Sequence, residues 1–215
     1  MNGRALYDWW SRHRLALRGL YALAFLGRGS TFRRRSVAAL DLQTGDRVLE
    51  LGCGPGNSFE RLREAVGPEG TVVGVDYSPG MVERAADRVA RAGWDNVHVV
   101  LGDATTLPVP DRSVDAVYAS MSLSAMPDPV AAVAAAATAL RPDGRLAVLD
   151  ARPFQSLPWS LTNPLVVPVL ARLTDWNHET DIPASLDSRF RASTVRGYNG
   201  GNIYIASGSG PLADE

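Results

Sequence analysis

A chain of 215 residues has room for one domain with a sizeable core and is short for two full ones. Its hydrophobic and charged fractions, 46% and 21%, sit near the globular average and exclude disordered and collagen-like classes. A formal net charge of −1 gives no global reason to expect a nucleic-acid partner, and a single cysteine, Cys53, rules out an intrachain disulfide or a cysteine-based zinc site.

The charge is unevenly placed. Arg4, Arg12, Arg14, Arg18, Arg28, Arg33, Arg34 and Arg35 face only Asp8 within the first 36 residues. Met1–Trp10 lacks the apolar core of a signal peptide, and Arg18 interrupts the next apolar run. No apolar stretch reaches the roughly 18–20 residues that span a bilayer. The expectation is a cytoplasmic protein, soluble or associated with a membrane surface. On a helical wheel Leu6, Trp10, Leu17, Leu20, Tyr21 and Ala24 fall near one face, with Arg4, Arg12 and Arg18 on others.

From Asp46 onward strand-like and helix-like segments alternate, as in an α/β domain with a parallel sheet. Arg47–Leu51 reads as a strand that ends at glycines. A helix over Asn57–Val66 follows, with Asn57 as N-cap and Gly67-Pro68 as its stop. Thr71–Asp76 reads as the second strand and Pro79–Ala92 as the second helix, capped by Ser78 and closed by Gly93. Val97–Leu101 and Val114–Ala119 are the next strands, joined by a linker that Pro108 and Pro110 keep irregular. Asp128–Leu140 predicts a closely packed helix, Arg141-Pro142-Asp143-Gly144 a turn, and Arg145–Asp150 a fifth strand. Trp159–Leu173, apolar but interrupted by Pro164 and Pro168, predicts an irregular helical segment. Arg191–Tyr198 and Asn202–Ser207 flank Asn199-Gly200-Gly201, whose residues tolerate positive φ, so the sheet should close in an antiparallel hairpin.

The chemistry concentrates at Val48-Leu49-Glu50-Leu51-Gly52-Cys53-Gly54-Pro55-Gly56. A strand running through a glycine turn into a helix lets backbone approach a ligand closely, next to the positive end of a helix dipole. Asp76 stands at the end of the neighbouring strand, where a carboxylate can accept both hydroxyls of a ribose. The third glycine of a dinucleotide fingerprint is missing, since position 57 is asparagine. Gly102-Asp103-Ala104 follows the third strand, where a carboxylate could meet an adenine amino group.

These segments, VLELGCGPG, VVGVDYSPGMVERA, LGDATTLPVPDRSVDAVYAS and ALRPDGRLAVLD, resemble in order and spacing the motifs of class I S-adenosylmethionine-dependent methyltransferases. The resemblance is particularly to the broad group similar to ubiquinone and menaquinone biosynthetic methyltransferases (methyltransferase type 11). The resemblance covers about residues 46–150. It implies a Rossmann-like three-layer α/β sandwich whose seven-stranded, mostly parallel sheet ends in an antiparallel hairpin. It also implies a domain over 41–215 with a variable substrate insert at 155–190, preceded by a helical lid or substrate segment over 1–40.

For the cofactor the resemblance implies that Glu50 and the Gly52 backbone hold the amino-acid end, with Gly54 and Gly56 giving clearance. Asp76 would bind the ribose, Tyr77 and Met81 would pack on the adenine, and Asp103 and Ala104 would meet its edge. The carbonyl of Ser120 would contact the ammonium, while Tyr7 and Trp10 belong to the segment that folds over the site. No metal and no catalytic base can be assigned; His13 and His178 are candidates by type alone.

The acceptor is expected to be a small molecule, and the arginine-rich amphipathic start suggests a lipid-like one, a quinone precursor or a phospholipid head group, with peripheral membrane contact through residues 1–36. Ala119-Ser120-Met121-Ser122 lacks the motif of enzymes that methylate amino groups of DNA bases, so no nucleic-acid partner is expected. A protein or nucleic-acid methyltransferase, or a cofactor-binding protein without turnover, stand as the alternatives.

Overall fold

The computed structural model describes residues 3–107 and 109–212, so Pro108 of the expected irregular linker lies outside them. Among the described residues seven strands form one sheet: β1 (Arg47–Leu51), β2 (Thr71–Asp76), β3 (Val97–Leu101), β4 (Val114–Ser120), β5 (Leu140–Ala151), β6 (Phe190–Tyr198) and β7 (Ile203–Pro211). Their order is β3-β2-β1-β4-β5-β7-β6. Strands β1 to β5 run parallel, while β7 pairs antiparallel with both β5 and β6. The order turns back between β1 and β4, and a crevice opens there at the carboxyl ends of the strands.

Alternation along the central strands supplies both faces of the sheet. Leu49, Leu51, Val117, Ala119, Leu146 and Val148 pack towards α6 (Pro129–Ala139) and α8 (Ile182–Asp187). Val48, Val72, Ala116, Tyr118 and Ala147 pack towards α3 (Gly29–Ala38), α4 (Phe59–Val66) and α5 (Pro79–Ala92). This is the Rossmann-like three-layer arrangement, and it explains why these strands read as continuous apolar runs.

Local signals set most boundaries. Ser78 accepts a hydrogen bond from the Met81 N–H, Pro79 opens α5, and Gly93 closes it with φ 64°. Asp128 caps α6 by accepting the Ala131 N–H, and alanines let that helix lie close on the sheet. Two expectations need correction. Helix α4 starts at Phe59 rather than Asn57, because residues up to Ser58 are spent on the glycine turn, and Ser58 makes no side-chain cap bond. Arg141–Gly144 does not reverse the chain: it is a bulge within β5, since Val114 pairs with Leu140 and Ala116 already pairs with Arg145. Asp115, opposite the bulge, pairs with the Arg141 guanidinium and accepts the Arg47 N–H at 2.8 Å, which fixes the irregularity in place.

The N-terminal segment forms α1 (Gly3–Arg12), α2 (Arg14–Ala24) and α3. Trp10 and Leu17 bury against Met81, while Phe25 and Phe32 bury against Leu149, Ile203 and Ile205. The Arg33–Arg35 run therefore lies on a helix whose other side buries Phe32, Ser36 and Val37. Residues 159–174 form a short 3-10 turn (Trp159–Thr162) and then one helix, α7 (Asn163–Thr174). Pro164 stands in its first turn, where the missing N–H costs nothing, and Pro168 lies inside it without ending it.

Candidate active site

The carboxyl end of β1 leads into a cradle. Gly52 has φ +61°, and a Cβ there would stand 2.6 Å from the Ser122 Cβ; Gly54 has φ +53°, and a Cβ there would meet nothing within 4 Å. Only glycine suits the first position on both counts, and the second leaves backbone facing open space. Asp76, at the end of β2, ties the cradle down. Its carboxylate accepts the Gly54 N–H at 2.8 Å and the Ser78 N–H at 2.9 Å. Burial raises the Asp76 pKa, and those two N–H groups oppose the rise.

A cavity of about 60 Å³ opens on the cradle, bounded by Glu50, Gly52, Gly54, Asp76, Tyr77, Met81 and Ser120 among others. Seven of the expected cofactor residues are thus brought together. Three are not. Gly56 lies outside the lining, its carbonyl accepting a hydrogen bond from Arg88 Nη1 at 2.9 Å. Asp103 is exposed, and its Oδ1 accepts from both the N–H and the hydroxyl of Thr105 at 2.8 Å. Ala104 is buried in the core packing.

Part of the polar lining of this cavity is unsatisfied. Arg33 Nε, Glu50 Oε2, the Tyr77 hydroxyl and Ser120 Oγ are all buried without a hydrogen-bond partner, and all four residues border the same small space. Leaving one buried polar group unmade costs about 1–3 kcal/mol. Four such groups around one crevice fit a ligand that is itself polar and charged, as the amino-acid end of S-adenosylmethionine is. The volume does not suffice for a nucleoside, however, because Tyr7 and Leu17 and Tyr21 of α1 and α2 stand at the front of the cradle. Admission of a nucleoside requires those side chains to give way.

Glu50 carries the largest electrostatic consequence. Burial pushes its pKa from 4.5 up to about 8, against the Ser58 hydroxyl and the charges of Arg33 and Arg88, which favour the carboxylate; Asp76 adds to the rise. The unfolded chain ionises Glu50 near 4.5 while the folded protein holds the proton to about 8, so the unfolded state binds fewer protons between those values. Stability therefore falls as pH rises through that interval. Asp76 and Asp150, raised by burial, add slopes of the same sign. Thermal melts from pH 5 to 8 should show this decline, and Glu50→Gln should flatten part of it; an identical slope in the variant would contradict the assignment.

A second, larger cavity of about 520 Å³ lies beside the cradle, walled mainly by apolar side chains of α1, α2 and α7 and by the ends of β4, β5 and the β6–β7 hairpin. Tyr7, Leu17, Tyr21, Met121 and Ala125 border both cavities and form the partition between them. Tyr7 and Trp10 tie α1 to the end of α7: the Tyr7 hydroxyl donates to the Thr174 carbonyl at 3.0 Å and Trp10 Nε1 to the Leu173 carbonyl at 2.9 Å. His13 stacks on Trp9 at 3.8 Å, His178 is exposed, and neither borders either of these two cavities.

Sequence reasoning missed several residues here. Asp8 pins α1 to the start of α5, accepting from the Ser78 hydroxyl at 2.5 Å and the Gly80 N–H at 3.3 Å. Its isolation among arginines was the only signal. Asp150, fully buried at the end of β5, accepts from the Ser124 N–H at 3.0 Å and hydroxyl at 2.6 Å. It thereby fixes the 3-10 turn Leu123–Ala125 beneath the large cavity. An aspartate closing an apolar strand could have been flagged from the sequence.

Residues 48–144 match the family model of a methyltransferase domain. Aklanonic acid methyltransferase DauC of Streptomyces sp. (strain C5) is 39% identical over 137 residues, 62% of this chain and 62% of that protein. Demethylmenaquinone methyltransferase of Listeria monocytogenes serotype 4a is 33% identical over 119 residues, 55% of this chain and 50% of that protein. In these and the other curated relatives it matches most strongly, the chain spans less than two thirds of the relative's length. A SAM dependent methyltransferase from Aquifex aeolicus has the same fold, with a TM-score of 0.63 at 20% identity over 83% of this chain and 89% of that one. The matched stretch holds β1, the glycine cradle and Asp76, and over it the chain is similar to S-adenosylmethionine-dependent methyltransferases.

Proposed function

We propose that the protein transfers a methyl group from S-adenosylmethionine to an apolar small molecule held in the large cavity. One observation carries this reading: a 520 Å³ apolar chamber shares the wall formed by Tyr7, Leu17 and Tyr21 with the glycine cradle. In this reading Glu50 and the Gly52 backbone hold the amino-acid end of the cofactor, and Gly54 and Gly56 give clearance. Asp76 takes the ribose, Tyr77 and Met81 flank the adenine, Asp103 and Ala104 lie towards its edge, and the Ser120 carbonyl meets the ammonium. Residues 1–40 act as the lid, with Tyr7 and Trp10 as its latch, and residues 155–190 as the acceptor-binding insert of a domain over 41–215.

Bound S-adenosylmethionine supplies a methyl group on an already activated sulfonium. The chain's own contribution is placement and the exclusion of water. Holding two reactants in line can remove roughly 7–11 kcal/mol from a barrier. No residue on either cavity is required as a base unless the acceptor must first lose a proton.

The acceptor is read as lipid-like, a quinone precursor or a phospholipid head group. The apolar chamber supports this, as does the name of the Listeria relative. Peripheral membrane contact through residues 1–36 belongs to the same reading. Leu157, Leu161, Leu165, Val169 and Leu173, four residues apart, are 43–76% exposed around the chamber's outer wall. Residues 1–40 and 151–174 together hold ten arginines against the single Asp8. An apolar ridge amid cationic charge suits an anionic lipid surface. No helix among the described residues is long and apolar enough to cross a membrane.

Calorimetry with S-adenosylmethionine, followed by detection of S-adenosylhomocysteine over a panel of apolar hydroxylated acceptors, tests the main reading; no cofactor binding would end it. Cofactor binding without product over the whole panel would favour a regulatory protein without turnover, to which the tightness of the 60 Å³ cavity lends support. Flotation with anionic vesicles at low salt tests the membrane reading separately. We expect association that Leu161→Glu with Leu165→Glu abolishes, and no association of the unaltered protein would dismiss it.

A further inference from the structure

We propose that Asn199 and Asn202, at the tip of the β6–β7 hairpin, read the polar end of the acceptor and select an apolar molecule carrying a hydrogen-bond acceptor beside a donor. A primary amide, a lactam or a hydroxy-carbonyl compound meets that description. The inference rests on the large cavity being the acceptor site and names the chemistry it selects.

Both asparagines border the cavity, and Asn199 Nδ2 and Asn202 Oδ1 are buried without a hydrogen-bond partner. One is a donor and the other an acceptor, set in a wall that is otherwise mainly apolar. Other polar side chains on that wall are engaged within the protein. Tyr7 bonds to the Thr174 carbonyl, Ser124 to Asp150, and Trp176 to the Ala151 carbonyl, while Asn163 bonds to both the N–H and the carbonyl of Phe154. The two hairpin amides stand out against that accounting, since a leucine in their place would avoid the cost of an unmade bond.

Turn chemistry does not account for both. Asn199 has φ +49°, a conformation asparagine tolerates, and this explains the residue type but not the buried amide left without a partner. Asn202 has φ −79° and ψ −27°, which any residue adopts. The tip is also rigid. The Gly200 carbonyl accepts from the Gln155 and Ser156 N–H groups at 2.9 and 3.2 Å. The Asn202 carbonyl accepts from the Arg152 N–H at 2.8 Å, and Arg152 Nε reaches the Gly201 carbonyl at 3.1 Å. These three carbonyls are thus engaged, and the two amides sit on a braced turn, as polar recognition in an apolar cavity demands.

Equilibrium dialysis of the full chain against 2-naphthamide, 2-acetonaphthone and 2-isopropylnaphthalene tests this. The probes share shape and differ in offering both functions, the acceptor alone, or neither. Asn202→Ala should weaken naphthamide about tenfold and leave the ketone within about twofold; Asn199→Asp, which keeps the tolerance for positive φ, should weaken both carbonyl probes about tenfold. The hydrocarbon should be indifferent to either change, and thermal melts of the variants report that the fold is kept. Carbonyl probes that bind the variants as they bind the unaltered protein, or all three probes weakened alike, would overturn the assignment while leaving the acceptor site standing. Failure of every probe to bind the unaltered protein would overturn the acceptor site and this inference together.

Discussion

Replacing Asp76 by alanine is expected to weaken S-adenosylmethionine binding by about 1.5–3 kcal/mol, the usual range for a hydrogen bond to a charged group. The structure adds a second loss. The Gly54 and Ser78 N–H groups both rely on this carboxylate, so alanine removes the acceptor that holds the cradle to the start of α5. Stability should fall by about 1–3 kcal/mol for each N–H left without a partner that water cannot reach. Asp76→Asn keeps one carbonyl acceptor and should fall between the two. Calorimetry with the cofactor and thermal melts without it separate the effects, and an unchanged affinity in Asp76→Ala would remove Asp76 from the site.

Phe59→Ala is expected to be the most damaging single truncation, costing about 3–5 kcal/mol as a fully buried aromatic. This ring supports the cradle from below. A Cβ at Gly56 or at Gly74 would stand 2.5 Å from it, so the turn and strand β2 both close on the same side chain. Gly74→Ala should accordingly cost about 1–3 kcal/mol by overpacking. Adding Phe59→Leu to Gly74→Ala should recover part of that loss, since the two sites share one volume and their effects should not add. Denaturant unfolding measures all three, and strict additivity would contradict the shared packing.

The central strands were legible because their signals are local and strong. Aliphatic runs ending at glycine or aspartate, Ser78-Pro79 at a helix start and Gly93 at its end each act within a few residues of themselves. The cradle and Asp76 were legible for the same reason, since the turn needs glycine whatever surrounds it. Asp103 was read as a ligand because it follows β3, and its Oδ1 accepts from the N–H and hydroxyl of Thr105, two residues away. The bulge at Arg141–Gly144 was hidden because it depends on Asp115, a residue of another strand.

The amino-acid sequence by itself determined the doubly wound sheet and the glycine turn at the end of β1, because periodicity, caps and left-handed glycines are properties of neighbouring residues. Tertiary structure alone decided what surrounds that turn. It set α1 and α2 across the cradle, left four polar groups unmatched within it, and joined residues as distant as Tyr7, Thr174 and Asn202 into one apolar chamber. A cavity is the space left over when elements from every part of a chain have finished packing, and no stretch of sequence specifies it alone.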